Sequence, residues 1–248
     1  MAHARLKPRY AHSQRVPSFA TEFGSRGGYR EVRWNVTVSS LYNCLEKDMN
    51  SILVLNSSVL GDQSVSKVLV EEAVQRLLEG NPNATVVRRD LGTTPIPHLT
   101  TSTVAGIRGV PKTDEELAAR ALSDELIAEL QAADTLVIGA PMYNFSIPTG
   151  LRAWFDHVLR PGKTFSYSEA GPQGLITGKR VIIIESRGGH YSDGPAHAMD
   201  FQEPYLKALF RFIGLIHVTF VRAEKLGFGP AAREAALAAA KQTLAEAA

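Results

Sequence analysis

Ser51-Ile52-Leu53-Val54-Leu55-Asn56-Ser57-Ser58-Val59-Leu60-Gly61-Asp62-Gln63-Ser64-Val65-Ser66-Lys67 decides the reading of this chain. An unbroken apolar run, Ile52 to Leu55, enters a turn rich in Ser, Gly, Asp and Gln, and the turn opens an amphipathic segment. The first suits a strand covered on both faces. The second predicts a helix from about Ser64 to Glu79, with Val65, Val68, Leu69, Ala73 and Leu77 on its inner face. Ser64 and Ser66 fall at the helix start, where unpaired N–H groups and the helix dipole favour an anion, and Ser58 can fold its hydroxyl over the same spot. The other reading of Ser64 is ordinary N-capping. Neither serine has Glu or Gln three residues later to complete a capping box, which leaves the hydroxyls free for a ligand. Asp62 counts against an anion unless its side chain points to solvent.

Outward from this unit the same alternation recurs. Ala84 to Leu91 reads as a second strand, followed by the Pro- and Thr-rich excursion Gly92 to Lys112. A helix opens at Thr113, with Glu116 completing a capping box and Leu117, Leu122, Leu126 and Leu130 as its buried stripe. Thr135 to Ala140, Val181 to Glu185 and His217 to Val221 are the third, fourth and fifth strands, and Pro230 to Ala247 the last helix. Strands one, three and four are almost wholly apolar, whereas Thr85 to Arg89 and His217 to Val221 are diluted with polar residues, so strands two and five belong at the edges. An α/β class follows: a doubly wound, five-stranded parallel sheet of order 2-1-3-4-5 with helices on both faces.

Such sheets bind ligands beyond the carboxyl ends of their strands, where the winding reverses. After strand three, Pro141 and Pro148 bracket Met142-Tyr143-Asn144-Phe145. Two aromatics and a thioether in a stiff loop suit a flat heterocycle, although Phe145 could instead plug the core. After strand four, Ser186-Arg187-Gly188-Gly189 offers main-chain N–H groups that can approach the polar edge of a ring; a plain turn is the alternative. No G-x-G-x-x-G follows strand one, which disfavours a dinucleotide-binding Rossmann domain. Gly162-Lys163-Thr164 imitates the end of a P-loop, but His157 stands where its first glycine belongs and a helix precedes it, so the match is rejected.

The 248 residues accommodate one domain plus an appendage: residues 1–48 as an extension and residues 49–248 as the folded domain. The extension carries eight Lys/Arg against four Asp/Glu, and the remainder nineteen against twenty-one, so the domain itself offers no basic groove for nucleic acid. Residues 1–48 show no sustained period and read as disordered, with an organelle-targeting segment or a true start at Met49 as the competing expectations. No apolar run is long enough to span a membrane, and Cys44 has no partner for a disulfide, which points to a cytoplasmic protein.

The spacing Ser58…Ser64-x-Ser66, the string Ala140-Pro141-Met142-Tyr143-Asn144-Phe145 and Ser186-Arg187-Gly188-Gly189, in this order and each after its own strand, together resemble the FMN-dependent NAD(P)H azoreductases, also called FMN-dependent quinone oxidoreductases. The resemblance runs from about Ser51 to the C-terminal helix and includes Ala121 to Leu130; residues 1–48 inherit nothing from it. It implies a flavodoxin-like fold in which Ser58, Ser64, Val65 and Ser66 hold the FMN phosphate and nearby ribityl oxygens. Met142, Tyr143, Asn144 and Phe145 would line the isoalloxazine, and Ser186, Arg187, Gly188 and Gly189 its pyrimidine side. It further implies ping-pong transfer of two electrons from NADH or NADPH to quinones or aromatic azo compounds, with no metal and no nucleophile. A homodimer is implied too, with Phe165 and Phe212 as interface candidates. His190 is a candidate proton relay. The competing functions are a flavodoxin-type electron carrier, against which the nearly neutral domain argues, and a flavin-binding regulator without turnover.

Overall fold

Successive side chains of a strand point to opposite faces of its sheet, and in Ser51–Asn56 (β1) both sets are apolar and buried. The computed structural model describes residues 50–247, so the expectations for residues 1–48 lie outside the described residues. Leu53 and Leu55 join one hydrophobic core, while Ile52 and Val54 join another on the opposite face. The following elements are Val65–Gly80 (α1), Thr85–Asp90 (β2), Val104–Arg108 (α2), Asp114–Ala132 (α3), Thr135–Pro141 (β3), Thr149–Val158 (α4), Phe165–Ser168 (β4) and Gly171–Gly174 (β5). Arg180–Ser186 (β6), Glu203–Ile213 (α5), Val218–Ala223 (β7) and Pro230–Ala247 (α6) complete the domain.

The main sheet has five strands in the order β2-β1-β3-β6-β7, every pairing parallel. The expected order 2-1-3-4-5 counted only the strands of this sheet. Between its third and fourth members the chain inserts an antiparallel hairpin, β4-β5, that the sequence pattern does not announce. The four residues of β5, Gly171-Pro172-Gln173-Gly174, carry no apolar alternation by which to be seen, and β4 is only four residues long. The short helix α2 likewise lay unseen in the Gly92 to Lys112 excursion.

Helices cover both faces. One core packs α3, α4 and α5 onto Leu53, Leu55, Leu136, Ile138 and Ile183; the other packs α1 and α6 onto Ile52, Val54, Val137, Ile182 and Ile184. Edge strands β2 and β7 are the partly exposed ones, as their polar content requires. Two expected core residues are not core. Val68 is 52% exposed because the buried stripe of α1 runs through Ser66, Val70 and Val74 instead; it is rotated toward a serine that hydropathy assigns to solvent. Leu117 is 51% exposed because α3 turns its small residues Ala119 and Ser123 inward. Ser123 Oγ there donates to the carbonyl of His157 (2.7 Å) and accepts from Arg160 (2.8 Å), which holds α3 against α4.

Thr113 and Glu116 form the anticipated capping box of α3. His157 is buried, with Nε2 3.0 Å from the Pro97 carbonyl, and its burial lowers its pKa. Phe155 sits at the centre of the larger core, in edge contact with Trp154 (5.0 Å) and Phe210 (5.3 Å). Phe155→Ala is expected to cost about 3–5 kcal/mol of stability in urea unfolding, as truncation of a fully buried aromatic does; a loss below about 1 kcal/mol would place the ring outside the core.

Candidate functional site

The carboxyl ends of β1, β3 and β6 each pass into a turn, and hydrogen bonds from the Tyr143 side chain and the Met142 main chain tie these turns together. At the first, the Ser64 hydroxyl caps α1 by accepting from the Lys67 N–H (3.2 Å) and shares a hydrogen bond with Ser66 Oγ (3.1 Å). The hydroxyls are therefore paired, not free as the missing capping box suggested. The N–H groups of Val65 and Ser66 have no acceptor among the described residues, the ordinary state of a first helical turn and the requirement for an anion site. Asp62 does not compete, because its side chain stands in solvent with Lys67 Nζ 4.0 Å away. Gly139 makes the arrangement possible: a Cβ there would come within 3.1 Å of Val70 and 3.3 Å of Asn56 Oδ1, displacing the helix start. Asn56 Oδ1 itself is buried and unpartnered among the described residues, an acceptor left over at the end of β1.

Ser58 Oγ accepts from the Leu60 N–H (3.3 Å) and lies 3.3 Å from the Tyr143 hydroxyl, which in turn accepts from the Val59 N–H (3.2 Å). Tyr143 is thus a strut between the first turn and the second. Beside it a cavity of about 590 Å³ opens between Val59, Tyr143 and the Pro95 to His98 stretch.

In the second turn, Tyr143 and Ser146 exchange both main-chain hydrogen bonds (3.0 and 3.1 Å), with Asn144 (φ 48°) and Phe145 (φ 70°) between them, the arrangement of a type I′ turn. Asparagine tolerates this region, but a phenylalanine there costs on the order of 1–3 kcal/mol and persists only where its surroundings enforce it. Phe145 is 41% exposed, in edge contact with Tyr191 at 6.2 Å, so it does not plug the core. Met142, at the entry, donates its N–H to the Ser186 carbonyl (2.9 Å), which joins the second turn to the third.

The third turn divides its four residues between two roles. Gly188 and Gly189 accept main-chain bonds from Gly227 (3.0 Å) and Lys225 (2.7 Å), while their own N–H groups have no acceptor among the described residues. Above Gly188 nothing lies within 4 Å of where a Cβ would stand. Arg187 was expected to share in the crevice and instead gives it nothing: its N–H and C=O pair with Ala223 and Leu226, and its guanidinium is 0% exposed.

That guanidinium is the hub of a buried ion cluster which the sequence reading missed. It contacts Glu185 (2.7 Å), Asp200 (3.1 Å) and Glu224 (3.1 Å), and its Nε donates to Gln202 Oε1 (3.0 Å). Arg222 adds a two-pronged contact to Glu203 (2.8 and 2.7 Å), and Lys207 another (2.6 Å). Burial pushes Glu185 up to about 8, with Glu203 and Asp200 adding to the rise and Arg187 and Arg222 opposing it. Its Oε1 has no partner among the described residues. Glu203 and Glu224 are also raised by burial, but bonds from Lys207 and Arg222 to the one, and from Ser192, Tyr191 and Arg187 to the other, bring both below the usual carboxylate value. Charges at 185, 187, 200, 203 and 224 are scattered in sequence, and only the fold makes them neighbours.

His190 is held at the mouth of this cluster, Nε2 2.8 Å from Asp193 and Nδ1 3.0 Å from Glu224. Phe165 is buried in its own chain, 4.5 Å from the half-buried Phe212, so of the two interface candidates only Phe212 presents any surface.

A doubly wound sheet with unpaired helix-start amides after β1, a strained aromatic turn after β3 and paired glycines after β6 defines an α/β protein of the class whose ligand sites lie beyond the carboxyl ends of the strands. The chain belongs to the flavodoxin-like fold family, whose profile it matches over residues 50–248. It is 62% identical over 198 residues to an FMN-dependent NADH:quinone oxidoreductase of Hyphomonas neptunium, a match covering 80% of this chain and 95% of the relative. Among solved structures, an azoreductase from Bacillus anthracis superposes with a TM-score of 0.74 at 31% identity, over 80% of this chain and 98% of that one. An FMN-dependent NADH-azoreductase from the same species, in complex with FMN, gives 0.71 at 25% identity, over 80% and 99%.

Glu185 makes the ion cluster testable without any ligand. Its pKa is about 8 in the fold against an ordinary 4.5, so the folded state binds the extra proton between those values. Its contribution to stability is fully present below the lower value and is lost as pH rises through the upper one. Glu185→Gln, which fixes the uncharged form, is expected to flatten the fall of the urea midpoint between about pH 5 and about pH 9. Parallel profiles for variant and wild type would show that Glu185 stays ionised.

Proposed function

We propose that this protein is an enzyme, an FMN-dependent oxidoreductase that passes two electrons from NADH to quinones and aromatic azo compounds, and that residues 49–248 carry the activity. The observation that carries the proposal is that the turns after β1, β3 and β6, each offering unpaired or strained groups, are bonded to one another through Tyr143 and Met142. The names of the relatives, and the FMN held by a structure with the same fold, support it.

FMN, when bound, supplies the hydride chemistry, accepting from a nicotinamide and giving to an acceptor. The chain's own residues do the rest. Val65 and Ser66 would offer their N–H groups to the phosphate, with the Ser58, Ser64 and Ser66 hydroxyls turning to it from their present partners; the helix dipole favours the negative charge there. Met142 and Phe145 would lie against the ring, and Tyr143 braces the turn that carries them. The unpaired Gly188 and Gly189 amides would hold the pyrimidine edge, where fixed N–H dipoles favour negative charge. Arg187 acts from behind this turn. Donor and acceptor take the same place in turn, which gives ping-pong kinetics. His190, already engaged by Asp193 and Glu224, is a proton relay only if it exchanges one of them for solvent or substrate.

The protein acts as a cytoplasmic homodimer in this reading. No helix among the described residues is long and apolar enough to cross a membrane. Tyr167 (72% exposed) and Phe201 (61%) offer a partner more aromatic surface than Phe165 does.

Purified protein is expected to take up FMN, turn yellow, lose that colour with NADH under anaerobic conditions and consume NADH when benzoquinone is added. A bound flavin that NADH leaves oxidised would make the protein a carrier or regulator. Ser64→Ala combined with Ser66→Ala is expected to weaken FMN binding by about 1–3 kcal/mol, from the loss of hydroxyls that bond a charged group. Unchanged affinity would move the phosphate elsewhere.

A further inference from the structure

The two turns assigned to the flavin ring, Met142–Phe145 and Ser186–Gly189, meet at their entries through the Met142 to Ser186 main-chain bond. That single bond leaves their far ends free to splay. A second connection runs underneath, through side chains. Gln202, buried at 0% exposure, donates its Nε2–H to the carbonyl of Ala140 (2.8 Å), two residues before Met142, and accepts on Oε1 from Arg187 Nε (3.0 Å), inside the glycine turn. One amide thus bonds the end of β3, just before the aromatic turn, to the glycine turn, each through the half of its polarity that the partner requires. Its own place is set on two sides: the Asp200 carboxylate accepts from the Gln202 N–H (3.0 Å) and contacts Arg187 (3.1 Å), and the neighbouring Phe201 N–H donates to the Phe145 carbonyl (3.1 Å). On the far side of the guanidinium, Glu224 accepts from Arg187 (3.1 Å) and from the Tyr191 N–H (2.9 Å), extending the brace past Gly189.

We propose that Arg187 and Gln202 are positioning residues that fix the gap between the aromatic turn and the glycine turn, and so tune how tightly each oxidation state of the flavin is held. Neither side chain touches the ring. The assignment rests on the flavin reading given above. Its physical basis is that a hydrogen bond to charge developing on a ring edge weakens steeply with distance and angle, so a small displacement of Gly188 and Gly189 acts more on the reduced flavin than on the oxidised one. Arginine is required in this role because only its planar fork can serve Gln202, Glu185 and Glu224 in different directions at once.

The test compares FMN affinity of the apoprotein, midpoint potential of the bound flavin and thermal unfolding of the apoprotein in three variants. Gln202→Met preserves volume and net charge while removing both amide bonds. Arg187→Lys preserves charge and removes the fork. Arg160→Met is the control, since Arg160 is an equally buried cation bonded to Ser123 and Asp124 away from the crevice. Both brace variants are expected to lose affinity for FMN at least ten-fold and to change the ratio of oxidised to reduced affinity by about ten-fold, which is about 30 mV for a two-electron couple. The control is expected to lose stability alone. Unshifted potential and affinity in whichever brace variant folds would overturn the assignment, as would equal shifts in Arg160→Met. Wild-type apoprotein that takes up no FMN would sink the flavin reading and the brace with it, an outcome distinct from the others because it needs no variant.

Discussion

A parallel sheet whose three central strands are apolar on both faces has to be covered on both, and that one constraint arranges everything else. It spends the whole length of β1, β3 and β6 on burial, with Leu53, Leu136 and Ile183 toward one core and Val54, Val137 and Ile182 toward the other. The covering helices leave only the rim of the sheet for polar chemistry. At its carboxyl end the winding reverses between β1 and β3, so the turns after these strands diverge and a crevice opens.

Within that crevice the division of labour follows from what each backbone can do. A helix start supplies amides it cannot use internally, and Gly139 lets that start approach the sheet. The aromatic turn stores strain at Asn144 and Phe145, and the bonds from Phe201 and Ser146 hold it there. The glycine turn keeps its amides unspent because its carbonyls are the groups that tie it to the segment after β7.

Beneath the glycine turn, four carboxylates surround one guanidinium that water does not reach, with Arg222 and Lys207 at the margin. Burying so many charges is costly, and pairing them offsets that cost without necessarily adding stability. What the cluster does supply is location: it fastens β6, β7 and the start of α5 to one point. In the least exposed carboxylate, Glu185, burial outweighs the neighbouring guanidinium and pushes the pKa up to about 8.

Local pattern sufficed for the α/β class, the edge and central strands, the capping box at Thr113 and the three turns that face the crevice, because each is written in residues close together in the chain: apolar runs, a Thr-x-x-Glu spacing, a Pro-bracketed loop, a Gly pair. What depended on partners far along the chain stayed hidden until the fold brought them together. Ser66 and Ser123 are polar residues that no apolar stripe includes, yet both are buried, since a hydroxyl with a neighbour to bond no longer needs water. Arg187 read as a crevice residue by its place between Ser186 and Gly188, yet carboxylates up to 37 positions away in sequence turn it inward. Gln202 carried no signal at all. Sequence spacing determines which faces of a strand or helix are apolar; which buried polar groups meet is decided only when separate elements share one interior.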